Sequence, residues 1–241
     1  MSLGRREEHK HGTTVAVVPC HREPPSAGLV DGLLAHVAGV VLVDDGMAAG
    51  AASRLAELAI ARPDVEVIHL PTNRGKGHAL AAGIARAAAA ADAVLTFDAD
   101  GQHPAAAVPS FLAADGDLVI GNRAERKAMP WVRRVANASS NRLLSCVTRA
   151  PIPDGQCGMR LLRKRALAIQ FPRGRYEAET RHLKACLRAG LKVTWVAIPA
   201  IYGSERSSFR PIRDSGRVLV GIFASSIPVA ERSSKRSQPV Q

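Results

Sequence analysis

Asp98 and Asp100 stand two residues apart directly after an apolar run, in the segment TFDADGQHP. At the end of an extended strand that spacing puts both carboxylates on a common side. Hard oxygen ligands of this kind suit Mg²⁺ or Mn²⁺, which keep several waters and bridge to a diphosphate. The same residues also describe an acidic turn with Gly101 at its bend. A second acidic group, VDDG at 43–46, places Asp45 where a carboxylate accepts a hydrogen bond from a ribose or a base, or else forms only a strand-to-helix turn. In NRGKGHAL at 73–80, Gly75 and Gly77 permit close backbone approach to an anion near a helix N-terminus, and Lys76 adds a cation for phosphate. A glycine turn with a solvated lysine is the alternative. The segment is not a Walker A loop, because the four-residue spacer and the terminal K-[ST] are missing.

These clusters need a scaffold that brings them to one edge. Residues 13–19, TTVAVVP, are β-branched and apolar, the pattern of a strand buried on both faces. Further strands are expected at 39–43, 65–70, 93–97 and 117–121, with helices over 29–37, 50–62, an alanine-rich run to 91, and 104–114. Such alternation implies a mostly parallel sheet flanked by helices in a single α/β domain, and open sheets of this kind bind ligands at the carboxyl ends of their strands. Beyond Arg123 a basic helix is expected over 132–147, a loop over 148–158, a helix over 177–189 and a β-branched run over 192–201.

The chain has 241 residues, 46% of them apolar and 22% charged, enough for one sizeable core. Its four cysteines are widely spaced with no C-x-x-C pair, which excludes a zinc ribbon or a thioredoxin-like motif and fits a reduced compartment. The polar N-terminus lacks the apolar core of a signal peptide, and no stretch reaches the roughly 20 apolar residues of a membrane span. A cytoplasmic location is expected. The net charge of +12 is compatible with phosphorylated substrates, anionic lipid surfaces or nucleic acid, and equally with solvated surface arginines. Two Trp, two Tyr and five Phe are too few for obvious base-stacking platforms, so no nucleic-acid partner is expected. His78, His103 and His182 lack metal-ligand spacing and are read as solvated or packed.

In their order along the chain these motifs resemble the family 2 glycosyltransferases of GT-A fold, particularly the polyprenyl-phosphate branch that includes dolichyl-phosphate mannose synthases. VVPCHRE is similar to the family's opening V-I-P-x-x-N-E, and VDDG, N-x-G-K-G and D-A-D-G-Q-H-P follow in register. GNR at 121–123, DGQCGMR at 154–160, YEAET at 176–180 and SSF at 207–209 extend the resemblance over roughly residues 13–217. Coincidence of all of these is far less probable than that of any one.

The resemblance implies a metal-dependent, inverting transfer of a sugar from a nucleotide-sugar donor to an acceptor, foremost a polyprenyl phosphate and alternatively a hydroxyl group. It implies that Pro19, Glu23 and Asp45 line the nucleotide pocket. Lys76, Asp98 and Asp100 would then manage the diphosphate, and Asp98, Asp100 and Gln102 a Mg²⁺ or Mn²⁺. Asp154 falls at the acidic position near the acceptor, where a general base would act. Arg123, with Arg133 and Arg134, would grip an acceptor phosphate through bidentate guanidinium geometry.

This sequence departs from the family at His21 and Arg22, in place of the usual small and Asn residues, and at Met159, where an aromatic is common. The membrane helices of many relatives are also absent. A lipid acceptor would need another docking surface, such as the basic helix around Arg133 or the apolar segment after residue 218, with peripheral contact at the inner face of an anionic membrane. That segment also reads as a core-packing helix. The expected organisation is a disordered N-terminus at 1–12, the transferase domain at 13–217, an apolar segment or helix at 218–230 and a disordered basic tail at 231–241.

Three competing readings remain open from residues alone. A sugar-nucleotide pyrophosphorylase needs a glycine-rich loop with a basic residue after its first strand, which PCHREPP does not supply. A non-catalytic binding protein on this fold and a transferase that has lost activity would both keep the motifs.

Overall fold

The computed structural model describes residues 12–123 and 131–199, with 131–136 described for the backbone alone. The ends at 1–11 and 231–241, the segment 218–230, SSF at 207–209 and the side chains of Arg133 and Arg134 lie outside the described residues.

Strands β1 (Thr14–Cys20), β2 (Gly39–Asp45), β3 (Val65–Leu70), β4 (Ala93–Thr96), β5 (Leu118–Arg123), β6 (Arg160–Arg163) and β7 (Val193–Ile198) form one sheet in the order β3-β2-β1-β4-β6-β5-β7. Neighbours pair in parallel except at β6, which runs antiparallel to both β4 and β5. The fold is thus a single α/β domain with a mostly parallel sheet. In β1, Ala16, Val17 and Val18 are all fully buried, as the unbroken apolar run requires when both faces of a strand are covered.

Helices α1 (Ala27–Leu34), α2 (Ala49–Ile60), α3 (Lys76–Ala87), α4 (Val108–Ala113), α5 (Trp131–Thr148), α6 (Lys164–Leu167) and α7 (Glu177–Arg188) complete the chain. Helix α3 packs across β1 and β2 and also touches α7. Three elements differ from expectation. The helix expected over 104–114 begins as a 3₁₀ turn at Ala105–Ala107 before α4, and β6 and α6 occupy a stretch in which the sequence pattern predicts neither strand nor helix. RLLR offers only two apolar residues between charged ends, so its strand character comes from the open edges of β4 and β5 rather than from local pattern. Among the described residues no helix is long and apolar enough to cross a membrane.

His182, on α7, is fully buried against Phe171, with ring centroids 4.9 Å apart and Nε2 3.3 Å from the Ala166 carbonyl. Burial, reinforced by the Arg160 charge, pushes its pKa down to about 4. The folded protein therefore binds this proton less readily than the unfolded chain. Its contribution is complete above an unfolded pKa of about 6.5 and is lost as pH falls towards 4. We expect wild type to lose about 2–3 kcal/mol across that window from this group. His182→Met should flatten the pH dependence of urea unfolding, and parallel curves for the two proteins would contradict the assignment.

Candidate functional site

Parallel pairing of β1 with β2 and β4, and of β2 with β3, places Cys20, Asp45, Leu70 and Thr96 at one edge of the sheet. The loops leaving that edge carry the unusual residues. Asp45 is buried, and its two carboxylate oxygens accept the backbone N–H groups of Arg74 and Gly75, each at 2.9 Å. Gly75 has φ of 99°, a left-handed conformation that favours glycine, and it packs against Arg175. This pinned turn starts α3 with Lys76.

Lys76 Nζ lies 2.7 Å from Asp98 Oδ1 and 3.1 Å from Glu179 Oε2, so the first turns of α3 and α7 and the loop after β4 meet at one ammonium. Burial alone would lower the lysine pKa, but the Asp98 and Glu179 carboxylates outweigh it and hold the value above the usual range. For Asp98, burial works upward, yet the Lys76 charge and His103 dominate and hold the carboxyl well below the usual carboxylate range. The Asp98 carboxylate rests on Gly158, where any side chain would overlap it, and its Oδ2 is 3.7 Å from His103 Nε2. His103 is itself buried edge-on against Phe97.

Asp100 is exposed and accepts the Gln102 backbone N–H at 3.1 Å. Desolvation by the surrounding turn and then the Asp98 charge raise its pKa. Among the described residues no three His, Cys, Asp or Glu side chains are grouped to hold a metal ion. The carboxylates of Asp98 and Asp100, with the Gln102 amide following on the same turn, would offer oxygen donors of the kind that suit a hard divalent cation retaining several waters.

A second ion pair lies at the end of β5. Arg123 donates from Nε to Asp154 Oδ2 at 2.7 Å and from Nη2 to Oδ1 at 2.9 Å, a bidentate arrangement, and Asp154 is buried. Asn141 on α5 accepts the Gly155 N–H at 3.1 Å and donates to the Pro153 carbonyl at 2.8 Å, which fixes the loop carrying Asp154. The two arms are joined by Arg160, which is fully buried. It donates to the carbonyls of Cys157 (2.9 Å) and Gly155 (2.8 Å) on one side and of Glu179 (2.8 Å) on the other.

The structure thus brings Lys76 and Asp98 together, places Asp100 and Gln102 on the adjoining turn, and pairs Arg123 with Asp154. It does not bring Glu23 into this group. Its side chain is 74% exposed and pairs with Arg54 on α2. Pro19 is half-buried in β1, opposite Val43. Glu179 and Arg160 carry no role in the sequence reading, although YEAET and DGQCGMR contain them. Each stretch carries two charged residues, and nothing in the local pattern marks Glu179 or Arg160 as buried.

Residues 15–169 match the family model described as Glycosyl transferase family 2. An uncharacterized protein of Methanocaldococcus jannaschii is 31% identical over 175 residues, which cover 68% of this chain and 70% of that one. The UDP-N-acetylglucosamine--dolichyl-phosphate N-acetylglucosaminyltransferase of Methanococcus voltae is 30% identical over 142 residues, 54% of this chain and 57% of that enzyme. Among solved structures, glucosyl-3-phosphoglycerate synthase from Mycobacterium tuberculosis, in complex with Mn²⁺, UDP and glucosyl-3-phosphoglycerate, aligns with a TM-score of 0.65. The alignment covers 92% of this chain and 85% of that chain at 20% identity, a likeness of fold. The same synthase in complex with Mg²⁺ and UDP gives a TM-score of 0.64 at 20% identity, covering 88% of this chain and 78% of that one. Because the family model matches residues 15–169, well over half of the chain, and the sheet aligns with solved structures of GT-A fold, the chain belongs to glycosyl transferase family 2 and is a glycosyltransferase of that fold.

Proposed function

We propose that this glycosyltransferase, whose domain spans residues 13–217, takes a sugar from a nucleotide-sugar donor and passes it to a polyprenyl phosphate with inversion at the anomeric carbon. The observation that carries the donor half is the meeting of Lys76, Asp98 and Glu179 at the sheet edge, with Asp100 and Gln102 beside them. Pro19 and Asp45 border the nucleotide on this reading, and Glu23 stands at its outer rim. Asp98, Asp100 and Gln102 would hold a Mg²⁺ or Mn²⁺, which when bound supplies positive charge to the leaving diphosphate. Lys76 adds a protein-borne charge to the same oxygens, electrostatic stabilisation that grows as the glycosidic bond breaks.

For the acceptor, the Arg123–Asp154 pair supports a holding role. Both Asp154 oxygens are engaged by the guanidinium, so Asp154 orients Arg123. To act as a base it would first have to release it. A phosphate acceptor removes the need for a base, because a phosphomonoester's second pKa of about 6 leaves the attacking oxygen anionic near neutral pH. Positioning by Arg123, with Arg133 and Arg134 as further contacts, is then sufficient. The Methanococcus voltae relative, named for a dolichyl-phosphate acceptor, supports the same choice. Basic residues and the apolar segment at 218–230 would allow peripheral contact with an anionic membrane from the cytoplasmic side.

The test is a calorimetric titration of UDP, GDP and their sugar conjugates with and without Mn²⁺, on wild type, Asp98→Ala and Asp100→Ala. We expect binding to strengthen at least about tenfold with Mn²⁺ in wild type, a gain of about 1.4 kcal/mol, and that gain to vanish in both variants. Metal-independent binding unaffected by either substitution would refute the assigned site.

A further inference from the structure

We propose that Lys76 is the internal counter-cation of Asp98 in the free enzyme, and that it must swing off Asp98 before a divalent ion is held there, so that metal and nucleotide diphosphate enter as one coupled event. This rests on the donor site assigned above. The geometry behind it is a competition for one oxygen. Asp98 Oδ2 is turned towards His103 Nε2, and its carboxylate backs onto Gly158. The other oxygen, Oδ1, is taken by the Lys76 ammonium at 2.7 Å.

A Mg²⁺ or Mn²⁺ bonded to that oxygen sits at roughly 2.1 Å from it, which puts the ion and the ammonium within a few ångströms of each other. Like charges that close repel strongly in a partly desolvated site. Without a ligand, only the Asp98, Asp100 and Glu179 carboxylates offset this repulsion. A nucleotide diphosphate would add negative oxygens for the metal and offer the displaced ammonium a new partner. Glu179 makes the exchange a swing rather than a release. It holds the same ammonium from the other side at 3.1 Å, while its own Oε1 makes no hydrogen bond and lies 3.8 Å from Nε of the buried Arg160.

The experiment is Mn²⁺ binding followed by electron paramagnetic resonance, on wild type, Lys76→Met and the double variant Lys76→Met/Glu179→Gln, each alone and with UDP or GDP. In wild type we expect weak Mn²⁺ binding alone and strong binding with a nucleotide. In Lys76→Met, Mn²⁺ alone should bind at least about tenfold tighter, and the extra gain from nucleotide should shrink. The double variant removes the cation together with one of its two anions and so preserves the net charge of the site. It also leaves only one carboxylate deprived of the ammonium should the single variant not fold. Tighter Mn²⁺ binding there too separates release of Asp98 from a bulk charge effect. Unchanged or weaker Mn²⁺ affinity in the variants, with nucleotide-enhanced binding intact in wild type, would overturn the swing and leave the donor site standing. Absence of Mn²⁺ binding to wild type with either nucleotide would overturn both.

Discussion

Arg160→Met should lower the unfolding free energy by about 3–5 kcal/mol, the range seen when one partner of a buried charged network is removed. The side chain is fully buried and serves the carbonyls of Gly155, Cys157 and Glu179. A methionine fills similar space but takes a donor from three carbonyls, of which Gly155 and Cys157 lie outside any helix while Glu179 sits within α7; each acceptor left unpaired costs about 1–3 kcal/mol before relaxation and water entry. Against a typical total of about 5–15 kcal/mol, much of the domain's stability is at stake. Arg160→Lys should recover only part of it, since an ammonium cannot reproduce the planar fork that reaches both segments. Urea unfolding measures the difference. A loss below about 1 kcal/mol would mean that the carbonyls find other donors and that Arg160 does not hold the two arms together.

The largest effect on turnover is expected at Arg123. Arg123→Met should reduce kcat/KM for a polyprenyl phosphate by about 10²–10³-fold, chiefly through KM, because a hydrogen-bonded charge contact to the acceptor is worth about 2–5 kcal/mol. Asp154→Asn provides the contrast. An amide keeps one acceptor for the guanidinium and loses the charge, so with a phosphate acceptor kcat should stay within about tenfold of wild type while KM rises. If the true acceptor is a hydroxyl group and Asp154 its base, kcat itself should fall by about 10²–10⁴-fold. Steady-state kinetics of the two variants thus distinguish a group that holds a phosphate from one that removes a proton.

Much of the sheet was legible in the sequence because buried parallel strands announce themselves as β-branched runs. Val65–Leu70 falls where its pattern places it, and β1, β2, β4 and β5 differ only at their ends. The edge motifs were legible for a related reason. Charged and glycine residues directly after such runs can lie only at strand ends. What could not be read were pairings across sequence distance. Asp45 reads as a candidate for a bound ribose or base, yet its oxygens first serve backbone N–H groups at 74 and 75. Arg123 and Asp154 read as separate contributors and stand as one bidentate pair. Arg160 and Glu179 look like ordinary surface charges until β6 and α7 close over them. Burial of a charge depends on the partner that arrives, which local propensity does not record.

The antiparallel insertion of β6 also bears on how the chain is made. Strands β4 and β5 never pair with each other; each waits for residues 160–163 to slot between them. A nascent chain that has not yet delivered those residues presents two open strand edges side by side, the geometry that invites pairing with foreign strands. Synthesis through residue 163 therefore supplies the strand that closes the gap between β4 and β5, leaving the β7 side of β5 as the edge still open. Truncations ending before it should aggregate, while those ending shortly after should need only β7 to finish the sheet.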